Sequence, residues 1–283
     1  MTTVIECHPP VTAKKPAVDL KALKAKQQTT WSSGDYAIIG TTLQIVGERL
    51  AEAMDLRAGQ TVLDVAAGNG NATLAAARRW CEVTSTDYVE QLLASARKRA
   101  EAEGAHIRFE IADAENLPFA DASFDAVVST FGAMFSPDQD RTASELIRVT
   151  KSGGRIGLAN WTPEGFIGQL FRVVGKYLPP PVGAKSPTLW GTRTWLNSTF
   201  GPTASAIAAE PRHFNFRYRS AQHFLDLFRQ YYGPVLKAFE QLKEPGRKAL
   251  AEDIIELVAK FNVSGDATMV VPGEYLEVVV TKQ

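Results

Sequence analysis

The sequence predicts an α/β fold in which a mostly parallel sheet carries helices on both faces. Three observations point there. Short apolar runs alternate with helical patterns between residues 61 and 160, the order that builds parallel strands joined by crossover helices. The first run, Thr61–Val65, leads through Ala66-Ala67-Gly68-Asn69-Gly70 straight into a helical segment. The next two runs each end beside an acidic residue, Asp87 and Asp113.

Residues 1–28 hold five lysines, three prolines and few large apolar groups, a composition expected of a flexible lead-in. Asp35–Met54 places Ile38, Ile39, Leu43, Ile45, Val46, Leu50 and Met54 at helical spacing, which predicts an amphipathic helix. Strands are then expected at Thr61–Val65, Glu82–Thr86, Ile107–Ile111, Phe124–Thr130 and Arg155–Asn160. Helices are expected at Asn71–Trp80, Val89–Glu103 and Pro137–Thr150. Gly104 follows the second of these as a C′ glycine does. Ser136-Pro137-Asp138-Gln139 has the spacing of a capping box, with Ser136 at the N-cap. Residues 163–210 break the alternation, holding Phe166, Trp190 and Trp195 around Pro179-Pro180-Pro181. That length suits a lid or binding insert after the fifth strand. Strand patterns return at His213–Arg219 and Tyr275–Thr281, with helical patterns at 221–231 and 247–261. The division is thus a lead-in over 1–28 and one domain over 29–283.

Composition narrows the function. The chain has 283 residues, 45% hydrophobic, with 31 basic against 31 acidic side chains, enough for a sizeable core. No basic stripe supports a nucleic-acid or membrane-surface partner. The longest apolar region, Gly165–Gly183, is interrupted by Gln169, Arg172 and Lys176 and does not read as a span. No secretory signal pattern opens the sequence. Cys7 and Cys81 alone make neither a disulfide framework nor a multi-cysteine metal site. His8, His106, His213 and His223 lack metal-ligand spacing, so no metal is expected, and a reducing cytoplasm is the expected compartment.

The glycine turn alone is a weak signal: Gly68-x-Gly70-x-x-Thr73 lacks the third glycine of a dinucleotide fingerprint. A strand–helix turn that needs small residues for packing explains it equally well. Its spacing to the later carboxylates carries more weight. A carboxylate at Asp87 can accept both hydroxyls of a ribose. Asp87-Tyr88-Val89-Glu90 also fits a helix cap, and both roles can coexist. Asp113, beside the Ala114 N–H, can read an adenine edge; taken singly it is as good a turn former. Three such loops on the carboxyl ends of successive strands line the edge where open parallel sheets bind ligands. The loop variant points to S-adenosylmethionine rather than NAD.

With those residues in view, the chain resembles the class I S-adenosylmethionine-dependent methyltransferases, in the ubiquinone/menaquinone-type small-molecule branch. The resemblance rests on Val62-Leu63-Asp64-Val65-Ala66-Ala67-Gly68-Asn69-Gly70, on Asp87, and on Asp113-Ala114-Glu115-x-Leu117-Pro118-Phe119. It continues through Ser123-Phe124-Asp125-Ala126-Val127-Val128-Ser129 and Glu145-Leu146-x-Arg148-Val149-x-Lys151-x-Gly153-Gly154-Arg155. It implies a Rossmann-like seven-stranded sheet whose last strand, Tyr275–Thr281, inserts antiparallel near the edge. It also implies S-adenosyl-L-methionine as cofactor. Asp64, Ala66 and Gly68 would then stand around the methionyl part, Asp87 would hold the ribose, and Tyr88 would lie on the adenine. Asp113, Ala114 and Glu115 would border the adenine, and Thr130 would face the reactive methyl group. Trp31-Ser32-Ser33-Gly34-Asp35-Tyr36 resembles the branch's aromatic cover, which makes Tyr36 a cofactor contact; an aromatic staple for the helix start is the plainer reading. Phe135, Trp161, Phe166, Trp190 and Trp195 are the candidate acceptor contacts. One departure is Ala66, where the family's turn has glycine, tolerable if φ stays negative.

The expected chemistry is methyl transfer by direct displacement to a small apolar or aromatic acceptor, with no catalytic residue identified and no nucleic-acid or membrane partner. A nucleotide-dependent Rossmann oxidoreductase and a catalytically inactive methyltransferase-like binding protein are the alternatives.

Overall fold

The computed structural model describes residues 18–283. The reading of residues 1–17, with Cys7 and His8, lies outside them.

The chain opens with α1 (Leu20–Trp31) and a short helix α2 (Tyr36–Gly40). A 3-10 turn, Thr41–Leu43, leads into α3 (Gln44–Ala53). Two expectations are corrected here. The stretch read as flexible through residue 28 is a helix from Leu20, capped by the Asp19 carboxylate, which accepts from the Ala22 N–H at 2.9 Å. No α1 residue is fully buried and its apolar moment is weak, so periodicity gave no sign of it. The single helix expected over 35–54 is broken at Gly40, where the chain presses on the glycine turn. A Cβ at Gly40 would stand 2.5 Å from Asn69 Oδ1, and its carbonyl accepts from Asn71 Nδ2 at 2.7 Å.

The alternation then runs β1 (Thr61–Val65), α4 (Asn71–Ala77), β2 (Glu82–Asp87), α5 (Glu90–Ala102), β3 (Ile107–Ile111) and β4 (Phe124–Thr130). It continues through α6 (Gln139–Val149) and β5 (Thr150–Trp161). Capping of α6 differs from expectation. Asp138, not Ser136, is the N-cap, and its carboxylate accepts from the Arg141 N–H at 3.0 Å. Beyond β5 come α7 (Phe166–Tyr177), α8 (Arg193–Phe200), β6 (Ala204–Tyr218), α9 (Ala221–Tyr231), α10 (Gly233–Gln241), α11 (Gly246–Phe261) and β7 (Met269–Lys282). Because β6 begins at Ala204, the insert between strands ends seven residues before position 210.

The sheet has seven strands in the order β3-β2-β1-β4-β5-β7-β6. β1 to β5 are parallel, and β7 lies antiparallel between β5 and β6. The expected sheet and its antiparallel last strand are therefore present. Strand order reverses between β1 and β4, so their carboxyl ends diverge and leave a crevice. The register aligns Val65 with Thr86 and Asp64 with Val128, which brings the loops after β1, β2 and β4 to one rim. β1 is buried on both faces, with Val62, Leu63 and Val65 wholly inaccessible, as a central strand between two helical layers requires.

Candidate active site

The turn after β1 is built by left-handed backbone. Ala66, Gly68 and Gly70 have φ of +53°, +58° and +84°. Ala66 thus departs from the expected negative φ, a conformation that disfavours a side chain. Room for its methyl group comes from Gly132 in the loop after β4: a Cβ there would lie 2.2 Å from Ala66 O and 2.7 Å from Ala66 Cβ. Gly68 is open on its outer side, its nearest neighbour being the Tyr36 ring at 3.7 Å from an added Cβ. Arg99 of α5 braces the turn from behind, donating to Asn69 O at 2.6 Å and to Asn71 Oδ1 at 2.8 Å.

Asp64 is displaced from its expected role. Its carboxylate is fully buried beneath the turn, accepts from Thr73 Oγ1 at 2.6 Å, and does not border the cleft. Burial pushes it up to about 7, against the Thr73 hydrogen bonds that lower it. It supports the turn rather than lining it.

Asp87 ends β2 with 4% of its surface exposed. One carboxylate oxygen accepts from the Gly68 N–H and the other from the Val89 N–H, both at 2.9 Å. Asp87 thus ties the glycine turn to the residue before α5 from within the cleft, but it is not the helix cap: the N-cap position is Val89, which has no side-chain bond. Burial pushes this group up to about 6, while the backbone donors of Val89, Gly68 and Tyr88 pull it down. Tyr88 follows on the same rim, its phenol raised by burial.

After β3, Asp113 Oδ1 accepts from the Glu115 N–H at 3.0 Å, while the Ala114 N–H carries no hydrogen bond among the described residues. Glu115 accepts from the Asp138 N–H at 2.9 Å. Both carboxylates meet Lys24 of α1, at 2.6 Å for Asp113 Oδ2 and in direct contact for Glu115. Burial alone would lower the Lys24 ammonium, but the two carboxylates outweigh it and hold it above its usual range. Gln28, one turn on, donates to Tyr88 O at 2.8 Å. Helix α1 is thereby fastened across the cleft. Lys24 was missed because it sits among the other lysines of the expected lead-in.

These groups line one cleft enclosing about 880 Å³ of empty space, its open mouth included. Tyr36, Ala66, Gly68, Asp87, Tyr88, Asp113, Ala114, Glu115, Thr130 and Phe135 all border it. Of the expected cofactor contacts, Asp64 alone does not.

A second, narrow cavity adjoins the first, enclosing about 330 Å³ of empty space with its opening included. Trp31, Tyr36, Leu43, Phe131 and Phe135 belong to both. Trp161 and Ile167 close it from β5 and α7, and Phe216, Phe228 and Tyr232 from β6, α9 and the junction with α10. Phe131 (φ +55°) stacks on Trp161 at 3.9 Å and 6°. Of the candidate acceptor contacts, Phe135 and Trp161 line this cavity. Phe166, Trp190 and Trp195 border neither cavity. Phe166 is fully buried against Phe216, Phe224 and Phe261. Trp190, also fully buried, packs on Trp195 at 4.4 Å and Phe200 at 6.3 Å. They are core: their area seals the insert onto the sheet. The missed residues are Phe131, one position past Thr130, and Phe216, Phe228 and Tyr232, which read as ordinary strand and helix residues in isolation.

Comparison with known proteins agrees with this geometry. A family model described as a methyltransferase domain matches residues 62–154. An uncharacterized protein of Mycobacterium tuberculosis is 35% identical over 271 residues, covering 94% of this chain and 97% of that one. The demethylmenaquinone methyltransferase of Thermus thermophilus is 38% identical over 177 residues, 59% of this chain and 80% of the relative. The crystal structure of the YcgJ protein from Bacillus subtilis superposes with a TM-score of 0.59 at 19% identity, covering 86% of this chain and 99% of that one. The chain belongs to the class I S-adenosylmethionine-dependent methyltransferases, a membership that implies S-adenosyl-L-methionine as the cofactor. The oxidoreductase alternative falls with that membership. Among the described residues no helix is long and apolar enough to cross a membrane.

Proposed function

We propose that this methyltransferase transfers a methyl group by direct displacement to a small, apolar or aromatic acceptor held in the aromatic chamber beside the cofactor cleft. The carrying observation is that the two cavities share five side chains, Trp31, Tyr36, Leu43, Phe131 and Phe135. A ligand in one therefore abuts a ligand in the other.

The cleft residues suit the cofactor chemically. Asp87 has lone pairs left for ribose hydroxyls after its two backbone bonds. The Ala114 N–H and the Asp113 carboxylate offer a donor and an acceptor to an adenine edge, with Tyr88 and Glu115 beside them. Gly68 leaves bare backbone where the methionyl part would pass, Tyr36 borders both cavities, and Thr130 borders the cofactor cleft beside Phe131. When bound, the cofactor supplies a methyl group on a sulfonium sulfur, a leaving group that needs no protonation. The chain's own part is to align the acceptor and keep water out. Trp31, Phe131 and Trp161 do so with large, stiff apolar faces. A cytoplasmic setting accords with this reading and with a free, buried Cys81.

The test is S-adenosylhomocysteine release across a panel of metabolites, with calorimetry for the cofactor. Trp161→Ala and Phe228→Ala are expected to leave S-adenosylhomocysteine affinity within about threefold while lowering turnover at least tenfold. If instead no acceptor releases product although S-adenosylhomocysteine binds, the chain is the inactive binding protein.

A further inference from the structure

Eight of the eleven side chains lining the chamber are aromatic, and they hold one another in place. Trp31 meets Phe135, Tyr36 and Tyr232 edge-on with centroids at 4.9, 5.6 and 5.7 Å. Phe131 and Trp161 form a stacked pair opposite. The polar atoms on these walls are phenol hydroxyls and indole N–H groups. Burial, and after it the Asp87 charge, pushes Tyr36 up to about 12, and burial holds Tyr232 well above the phenol range. Both phenols keep their protons at neutral pH.

Charge decides which nucleophile this space accepts. An anionic acceptor entering it would lose its hydration and find only weak donors on these walls. A neutral nucleophile with a ready lone pair enters at little cost. If that nucleophile is nitrogen, positive charge passes from sulfur to nitrogen and the total stays constant. Ring faces attract such a charge wherever it lies between the two atoms.

Resting on the reading above, we propose that the acceptor is a neutral tertiary or heteroaromatic amine and that the chamber is an aromatic cage for the onium group it becomes. The nitrogen lone pair forms the new N–C bond, the C–S bond breaks, and its electron pair returns to sulfur as a thioether. No proton has to leave before transfer, so the chamber needs no base.

The test uses the full chain saturated with S-adenosylhomocysteine and two probes of one shape, phenyltrimethylammonium and tert-butylbenzene. Binding is read by calorimetry and by quenching of tryptophan fluorescence. The cation is expected to bind about tenfold or more tighter than the hydrocarbon. Trp31→Leu and Tyr232→Leu should cut the cation's affinity at least fivefold and leave the hydrocarbon's within twofold, while Tyr232→Phe retains both. Equal or tighter binding of tert-butylbenzene, or binding of neither probe, overturns the cage and leaves methylation of an apolar acceptor standing. A protein that does not bind S-adenosylhomocysteine at all overturns both readings.

Discussion

Asp87→Asn separates the observed job of one carboxylate, its two backbone bonds, from the proposed one, holding a ribose. The ionised side chain accepts from the Gly68 and Val89 N–H groups at 2.9 Å each and keeps further lone pairs for a ligand. Asparagine preserves the shape but offers one oxygen, and its amide NH₂ faces one of those two donors. The loss toward a ribose is one or two charge-assisted bonds at about 1.5–3 kcal/mol each. One such bond alone lowers cofactor affinity about 10- to 150-fold. Stability moves less, because two effects oppose. A backbone donor left unmet costs about 1–3 kcal/mol. Removing a carboxylate that burial has already pushed up to about 6 relieves a desolvation cost in the unliganded protein. Calorimetric titration with S-adenosylhomocysteine, paired with thermal melting of the free protein, reads both. The expected result is a Kd raised at least tenfold with a Tm shifted by only a few degrees. An affinity within threefold of the native value, accompanied by a large drop in Tm, would show that Asp87 only ties the turn to the helix.

The same pKa shifts predict pH profiles of opposite sign. Cofactor affinity should be level above pH 7 and fall as pH drops through about 6, where Asp87 takes a proton. Asp64 has a folded pKa raised to about 7, so the folded state holds its proton more tightly than the unfolded. Its contribution to stability is full below about pH 4 and is lost as pH rises to 7. Comparing Tm at pH 5 and pH 8 for the native chain and Asp64→Asn should show a smaller difference in the variant; an unchanged difference refutes the assignment. Lys24→Met should raise hydrogen exchange over residues 20–31 severalfold, since it removes a partly exposed ion pair of about 1 kcal/mol; unaltered exchange would mean that α1 is held by other contacts. Gly132→Ala should weaken S-adenosylhomocysteine at least tenfold, because its Cβ cannot coexist with Ala66 O. Ala66→Gly should raise Tm slightly, since glycine adopts φ +53° without the steric cost to alanine of about 1 kcal/mol; a lowered Tm would refute that.

What could be read from the sequence follows from how locally each feature is determined. β1 and β4 announce themselves because a strand buried on both faces is a near-continuous apolar run, edge strand β3 alternates apolar and charged residues instead, and each crossover helix has its own period. The rim of the cleft was equally legible, since its carboxylates sit at strand ends that adjoin in the sheet. The aromatic chamber beside it was legible only in part. Phe135 and Trp161 stand at or just past strand ends, whereas Phe216, Phe228 and Tyr232 come from distant segments and each looks like ordinary core. The insert drew attention because its aromatics cluster in sequence, yet Phe166 packs into the core against Phe216, Phe224 and Phe261, and Trp190 packs against Trp195 and Phe200. Helix α1 escaped for the reverse reason. Its polar surface buries little, and it is fastened by Lys24 and Gln28 rather than by an apolar stripe.

Ala66 shows why a departure from a family pattern has to be judged in pairs. Alone, a methyl group at a left-handed position of the glycine turn suggests a damaged site. In the structure the missing freedom is supplied across the switch point, where Gly132 leaves a gap that no other residue could leave. β1 and β4 are neighbours in the sheet but 64 residues apart in their pairing, as Val62 with Ala126 shows. The two loops are thus one steric unit, facing the cofactor cleft through Ala66, Gly68, Phe131 and Gly132. Phe131, itself at positive φ, is turned by that unit onto Trp161. The geometry that opens the cleft therefore also sets the first wall of the aromatic cavity beside it.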